Sequence, residues 1–265
     1  MITSYHIHTT FSDGRCTVRE MIQGALKAGV DEIGFSDHFV LVKSMPTPDW
    51  SMDAARIPEY IETVREAASE FEGRIVLRCG LEADFVPETV DELAEVLRSY
   101  PFDYVIGGIH ILDGFMVDEC AENWDRLTQP ERDDMMLLYW DRIEQLAKSG
   151  LYDFVAHLDV YKKFGHIATI DLRPAIGRAL DAIAKAGMAV EVNTAGWYWD
   201  VNEAYPSPAI IAECHKRGIP MLVNADAHNA GDIIRSFESG YRLLRDAGYT
   251  EKAVFAGRKM SLVPL

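Results

Sequence analysis

The chain has 265 residues and a hydrophobic content of 48%, enough for one large core, while 26 basic against 42 acidic residues leave a formal net charge of -16. With no basic stripe, that balance argues against binding long nucleic acid, and no uninterrupted apolar run approaches the roughly eighteen residues of a membrane span. The cysteines Cys16, Cys79, Cys120 and Cys214 include no Cys-x-x-Cys pair, and Met1 to His6 shows no charged leader before an apolar run, so reduced thiols in a cytoplasmic protein without a signal peptide are expected.

Residues 1–8 read as the first strand, in which His6 and His8 share a face because strand side chains alternate. Asp13 follows within the next turn. Thr17 and Glu20 form a capping-box pattern ahead of Val18, Met21, Ile22, Ala25 and Leu26, and Gly29 closes this helix. Residues 31–36 are a second strand that delivers Asp37 and His38. Residues 39–55, with Pro46, Pro48 and Trp50, have no period and are expected to form a lid-like loop. Pro58 to Phe71 is a helix, Arg74 to Leu81 a third strand ending at Glu82, and Val90 to Tyr100 a helix stopped by Pro101. Asp103 to Ile109 is a fourth strand ending at His110. Residues 111–130 read as an irregular acidic loop and Glu131 to Ser149 as a helix closed by Gly150. Tyr152 to Ala156 is a fifth strand ending at His157. A helix marked by Leu172, Ile176, Leu180 and Ile183 closes at Gly187. Met188 to Val192 is a sixth strand ending at Asn193. Pro208 to Arg217 is a helix, Ile219 to Val223 a seventh strand leading to Asp226 and His228, and Gly231 to Ala247 a last helix. Residues 254–263 close the chain.

Seven strand-helix units without a linker or composition break predict a single α/β domain over residues 1–265, a seven-stranded (β/α)7 TIM-like barrel. Its active site is expected at the C-terminal ends of the strands. The polar residues support this. Six of the eight histidines, His6, His8, His38, His110, His157 and His228, fall at or beside predicted strand ends. Glu82, Asp226 and Asp13 bring carboxylates to the same end. Imidazole and carboxylate are ligands for zinc, iron and manganese, and this many donors exceed what one four-coordinate ion uses, so a cluster of two or three ions is expected. His215 reads as solvated helix surface, and His166 as a loop residue that either touches substrate or stabilises its own loop.

In order along the chain, His6-x-His8, Ser36-Asp37-His38, Gly80-Leu81-Glu82-Ala83-Asp84, Gly107-Gly108-Ile109-His110, Ala156-His157-Leu158-Asp159 and Asp226-Ala227-His228 resemble the polymerase-and-histidinol-phosphatase (PHP) superfamily. The resemblance implies a distorted seven-stranded barrel with three divalent metal ions. By position, His6, His8, Glu82 and Asp226 would bind one ion, Glu82, His110 and His157 a second, and Asp13, His38 and His228 the third. Within the superfamily the chain is most similar to stand-alone histidinol-phosphate phosphatases of histidine biosynthesis, through Leu81 to Phe85, Tyr100 to Gly107, the segment from His157 to His166, and Glu191 to Gly196 followed by Tyr205-Pro206-Ser207-Pro208. It departs from them after Asn193-Thr194-Ala195-Gly196, where the resemblance implies an arginine for substrate phosphate and the chain reads Trp197-Tyr198-Trp199.

The activity implied is hydrolysis of a small phosphomonoester, L-histidinol phosphate, by water activated between metal ions, with Glu82, Asp226 and His228 in the chemistry. Substrate contacts are expected from Lys162, Lys163, His166, Asn193 and Trp197, the two lysines standing in for the missing arginine. The alternatives are the same centre acting on another phosphomonoester, a phosphodiester or a nucleotide, and a regulatory domain that binds metal without turnover.

Overall fold

The short apolar runs of the main sheet become parallel strands and the amphipathic stretches helices outside it, in a computed structural model that describes residues 1–265. In chain order the strands begin with β1 (Thr3–Ser4), β2 (Glu32–Phe35), the short β3 (His38–Phe39), β4 (Val76–Asp84) and β5 (Tyr104–Gly108). A small hairpin, β6 (Ile111–Leu112) with β7 (Phe115–Met116), precedes β8 (Phe154–Val155), β9 (Ala189–Asn193) and β10 (Met221–Asn224). The helices are α1 (Val18–Ala28), α2 (Ile57–Glu70), α3 (Val90–Ser99), α4 (Ala121–Asp125), α5 (Gln129–Ser149), α6 (Arg173–Ala186), α7 (Pro208–Lys216) and α8 (Phe237–Ala247). The main sheet runs β1-β2-β4-β5-β8-β9-β10, with β3 added beside β4.

The barrel closes by an unusual seam. Strand β1 and strand β10 share no continuous ladder. Ile7 bridges Ala227 in parallel, and the Tyr5 amide donates to Asn224 Oδ1 at 2.8 Å, a side chain substituting for a backbone acceptor. This weak seam distorts the barrel and leaves His6 and His8 on an extended segment beyond the two-residue β1 rather than inside a long strand. They still face the interior, because the Ile7 bridge holds the intervening residue outward in the pleat.

The helix signals have local causes. Thr17 and Glu20 form the expected capping box, and Gly29 ends α1 at a φ of 73°. A second capping box, Thr128 with Glu131, starts α5 at Gln129, two residues before the expected Glu131. Two expectations need correction. Residues 111–130 are not irregular: they hold β6, β7 and α4, pinned by Trp124, whose indole donates to the Val117 carbonyl at 2.6 Å. The last helix starts at Phe237 rather than Gly231, since Ser236 adopts φ 57° and interrupts helical geometry there. Residues 254–263 belong to an antiparallel hairpin, β11 (Glu251–Ala256) with β12 (Lys259–Pro264).

That hairpin plugs the N-terminal end of the barrel. Phe255 and Ala253 join Tyr5, Tyr104, Ile106, Phe154 and Leu222 in a buried cluster separate from the main core. Tyr104 is the centre of the plug: its hydroxyl donates to the carbonyls of Tyr5 (2.7 Å) and Phe35 (3.0 Å). Its ring fits only because Gly34 and Gly80 have no side chains; a Cβ at either would lie 2.2 or 2.3 Å from Tyr104 atoms. Gly80→Ala is therefore expected to cost about 1–3 kcal/mol through overpacking, read as a lower denaturation midpoint in urea with an unchanged slope.

Candidate metal centre

The opposite, C-terminal end of the barrel gathers all nine side chains expected there. Register does much of this: β3 sets His38 directly beside Glu82 of β4. His6, His8, Glu82, His110 and His157 are buried, while Asp226, His228 and Asp13 face the mouth. Their donor atoms fall into four overlapping groups: His6, Glu82 and His157; His6, His8 and Asp226; His38, Glu82 and His110; and His8, Asp13, His38 and His228.

Glu82 ties the groups together. One carboxylate oxygen lies 3.1 Å from His6 Nε2 and 2.8 Å from His38 Nδ1. The other lies 3.1 Å from His157 Nε2 and 3.8 Å from His110 Nε2. Asp226 Oδ1 sits between His6 (3.5 Å) and His8 (3.2 Å), and Asp13 Oδ1 between His228 (3.3 Å) and His38 (3.8 Å). Asp226 reaches this place with a φ of 52°, left-handed backbone that a non-glycine residue rarely adopts and that clusters at functional sites.

The donor set fits divalent cations. His6 Nε2, both nitrogens of His8, His38 Nδ1, Glu82 Oε2, His157 Nδ1 and Asp226 Oδ1 are buried and have no hydrogen-bond partner in the protein. Buried polar atoms are ordinarily satisfied, so such a concentration marks atoms shaped for another ligand. The electrostatics agree. Burial disfavours a charged His6, yet Glu191, Glu82 and Asp226 together raise its pKa well above the usual histidine range. Burial likewise opposes charge on His110, which Asp84, Asp118 and Glu82 push up to about 10. His8 goes the other way: burial and the neighbouring His38 and His228 bring it down to about 3. Glu82 and Asp226, despite burial, are held well below the carboxylate range by the surrounding imidazoles. The ring thus draws in positive charge, and divalent cations supply it while displacing protons.

A second layer of residues aims these donors. Glu191 accepts from His6 Nδ1 with both oxygens at 3.0 Å, from the His157 amide at 2.8 Å, and from the amides of Asn193 (2.9 Å) and Asn224 (2.8 Å). That fixes His6 Nε2 toward Glu82. Asp84 does the same for His110, 2.5 Å from its Nδ1. Asp37 accepts from Thr9 and Ser12, folding the loop that carries Asp13. Sequence reasoning missed the role of Glu191; its signal was an acidic residue in the middle of the apolar β9, a fully buried strand.

Outside the ring lies a cavity of about 590 Å³, whose wall includes His38, His110, Asp226 and His228 beside Trp50, Tyr198 and Trp199. Trp50 comes from the expected lid-like loop and meets His38 and His110 edge-on at 4.9 and 5.4 Å. Of the expected substrate contacts, only Lys163 stands on this wall. The ammonium of Lys162 is buried between Asp159 (2.9 Å) and Glu203 (2.5 Å). His166 stacks on Trp124 and pairs with Asp125. Asn193 turns inward to Glu191 and Asp226. Trp197 is replaced on the wall by its neighbours Tyr198 and Trp199, because a 3₁₀ turn over Thr194–Tyr198, capped by Asn193 Oδ1, rotates them outward. The wall residues Arg15, Asp118, Glu119, Asp232 and Arg235 were not foreseen.

A barrel of this kind, with a clustered imidazole and carboxylate ring at its strand ends, is that of a metal-dependent hydrolase. The PHP domain model matches residues 4–195, and the chain belongs to that family. It is 38% identical to a probable histidinol-phosphatase of Deinococcus radiodurans over 96% of both chains. It is 30% identical to the histidinol-phosphatase of Bacillus subtilis, over 88% of this chain and 96% of that one. Its fold matches the crystal structure of histidinol phosphate phosphatase from Lactococcus lactis, solved with zinc, L-histidinol and phosphate, at a TM-score of 0.85 and 24% identity over 98% of both chains.

If Glu191 aims the ring, Glu191→Gln should weaken divalent-metal affinity by about 10–100-fold while far-UV circular dichroism stays unchanged. Competition against a chromophoric chelator measures this, and wild-type affinity in the variant would show that the ring needs no such support.

Proposed function

We propose that the chain acts as one domain that hydrolyses L-histidinol phosphate to L-histidinol and phosphate with the aid of divalent metal ions. The observation that carries this reading is the set of buried, partnerless nitrogen and oxygen atoms converging beneath the cavity. The named relatives supply the substrate.

In this reading three ions are held, one by His6, His8, Glu82 and Asp226, one by Glu82, His110 and His157, and one by Asp13, His38 and His228. Zinc, iron and manganese all suit such mixed nitrogen and oxygen donors. When bound, such ions supply concentrated positive charge that neutralises phosphate oxygens and acidifies a nearby water.

The protein's own groups do the rest. Glu82 spans two donor groups with its two oxygens, so it holds their spacing rigid. Trp50 covers the edge of His38 and His110 and restricts water there. The cavity volume of about 590 Å³ lies in the range of small-molecule sites. Its wall carries both signs of charge, Arg15, Lys163 and Arg235 against Asp118, Glu119 and Asp232. That mixture suits a substrate with a phosphate at one end and an ammonium group at the other better than a uniformly anionic polymer. The reading implies a cytoplasmic enzyme with a small phosphorylated substrate; no helix is long and apolar enough to cross a membrane.

The test is phosphate release from L-histidinol phosphate by metal-loaded protein, with a chelated sample as control. Efficient, chelator-sensitive turnover is expected. Glu82→Ala should lower turnover on the order of 10³-fold, the scale of several kcal/mol of metal-derived charge stabilisation, with a parallel fall in bound metal. Metal-loaded protein that turns over other phosphate esters and ignores this one would redirect the substrate. Metal-loaded protein inert toward every ester would favour a regulatory domain.

A further inference from the structure

The segment Trp197-Tyr198-Trp199 carries no positive charge, yet the fold brings cations onto its rings. Lys163 Nζ lies 4.2 Å from the centre of the Trp199 ring, and Arg235 Cζ lies 4.3 Å from that of Tyr198. The two cations are not equivalent. Lys163 donates to the Asp118 carbonyl at 2.6 Å and to its carboxylate at 3.2 Å, so its charge is largely neutralised. Arg235 has no comparable pairing. Asp232 is 3.7 Å away, the Ala225 carbonyl is 3.4 Å from Nη2, and its buried Nε has no partner. Arg15, the third cation on the wall, is exposed, and no ring or carboxylate orients it.

Arg235 is also held in place. Thr194 Oγ1 donates to the Arg235 carbonyl at 2.6 Å, and the hydroxyls of Tyr198 and Ser236 meet at 2.8 Å. These bonds stitch the loop after β10 to the turn after β9. A guanidinium over an aromatic ring can still offer N–H groups to a bidentate partner, and phosphate is such a partner. Arg235 shares the cavity wall with Asp226, His228 and His38.

We propose that Arg235, positioned by the Tyr198 ring, is the residue that grips the substrate phosphate, so that the loop after β10 provides the cation missing from Trp197-Tyr198-Trp199. This specificity device rests on the phosphomonoesterase reading, but its probe does not: inorganic phosphate binding to metal-loaded protein reports on the grip even if L-histidinol phosphate proves not to be the substrate.

Two quantities test it, the dissociation constant of inorganic phosphate by calorimetry and the KM and kcat for L-histidinol phosphate. Arg235→Ala should weaken phosphate binding about 10- to 100-fold, the scale of charge-assisted hydrogen bonds, and raise KM with bound metal unchanged. Arg235→Lys, which keeps the charge and loses the fork, should fall between, and serves if the alanine variant does not fold. Tyr198→Leu, which removes the ring, should behave like a partial loss of Arg235, and Tyr198→Phe, which keeps the ring and loses only the hydroxyl contact to Ser236, should lose clearly less. Phosphate binding unchanged in both Arg235 variants would overturn the grip. Equal loss in Tyr198→Phe and Tyr198→Leu would overturn the positioning role of the ring. If wild-type protein ignores L-histidinol phosphate while Arg235→Ala still loses phosphate, the substrate assignment fails and the grip stands.

Discussion

A fully buried carboxylate, Glu82, stands at the centre of the barrel mouth with histidine nitrogens on both of its oxygens. Removing such a group from water costs several kcal/mol, and only close positive charge or hydrogen bonding offsets that cost. Five imidazoles from four segments of the chain, His6 with His8, His38, His110 and His157, lie within 4 Å of it. The closed barrel is what lets residues so distant in sequence share one point. A shifted strand register would separate them, and His38 beside Glu82 is a direct product of that register.

The ring does not orient itself. Engaging one nitrogen of an imidazole fixes the direction in which the other is offered. Glu191 engages His6 and Asp84 engages His110, and each is itself buried. The weak β1 to β10 seam belongs to the same scheme. Asn224 joins Glu191 to the Tyr5 backbone, so one buried polar network both closes the barrel and aims a donor at the ring. At the other end, Tyr104 and the terminal hairpin fill the barrel with apolar rings. Stability and chemistry therefore occupy opposite ends of the same strands.

The wall above the ring has a different character. Carboxylates and cations both line it, and aromatic rings from two separate loops, Trp50 from one and Tyr198 with Trp199 from the other, frame them. A uniformly acidic surface at a net charge of -16 would repel a phosphate. Local cations and a metal-binding floor reverse that sign within the cavity.

Sequence alone was sufficient for the barrel class and for which residues stand at its mouth, because both are written in local signals. Strand alternation places His6 with His8, capping boxes and αL glycines bound the helices, and strand ends carry the imidazoles. Even the misplaced boundaries, the start of α8 and the hairpin within residues 111–130, left those positions intact. What the wall presents was decided by tertiary structure. Lys162 and Lys163 are adjacent, yet one is consumed by Asp159 and Glu203 inside the protein while the other reaches the cavity. Trp197 and Tyr198 are adjacent, yet a single 3₁₀ turn decides which faces outward. Arg235 meets Tyr198 across 37 residues through two loops stitched by hydroxyl contacts. Such pairings depend on how separate loops pack against each other, and no periodicity or spacing within either loop encodes them.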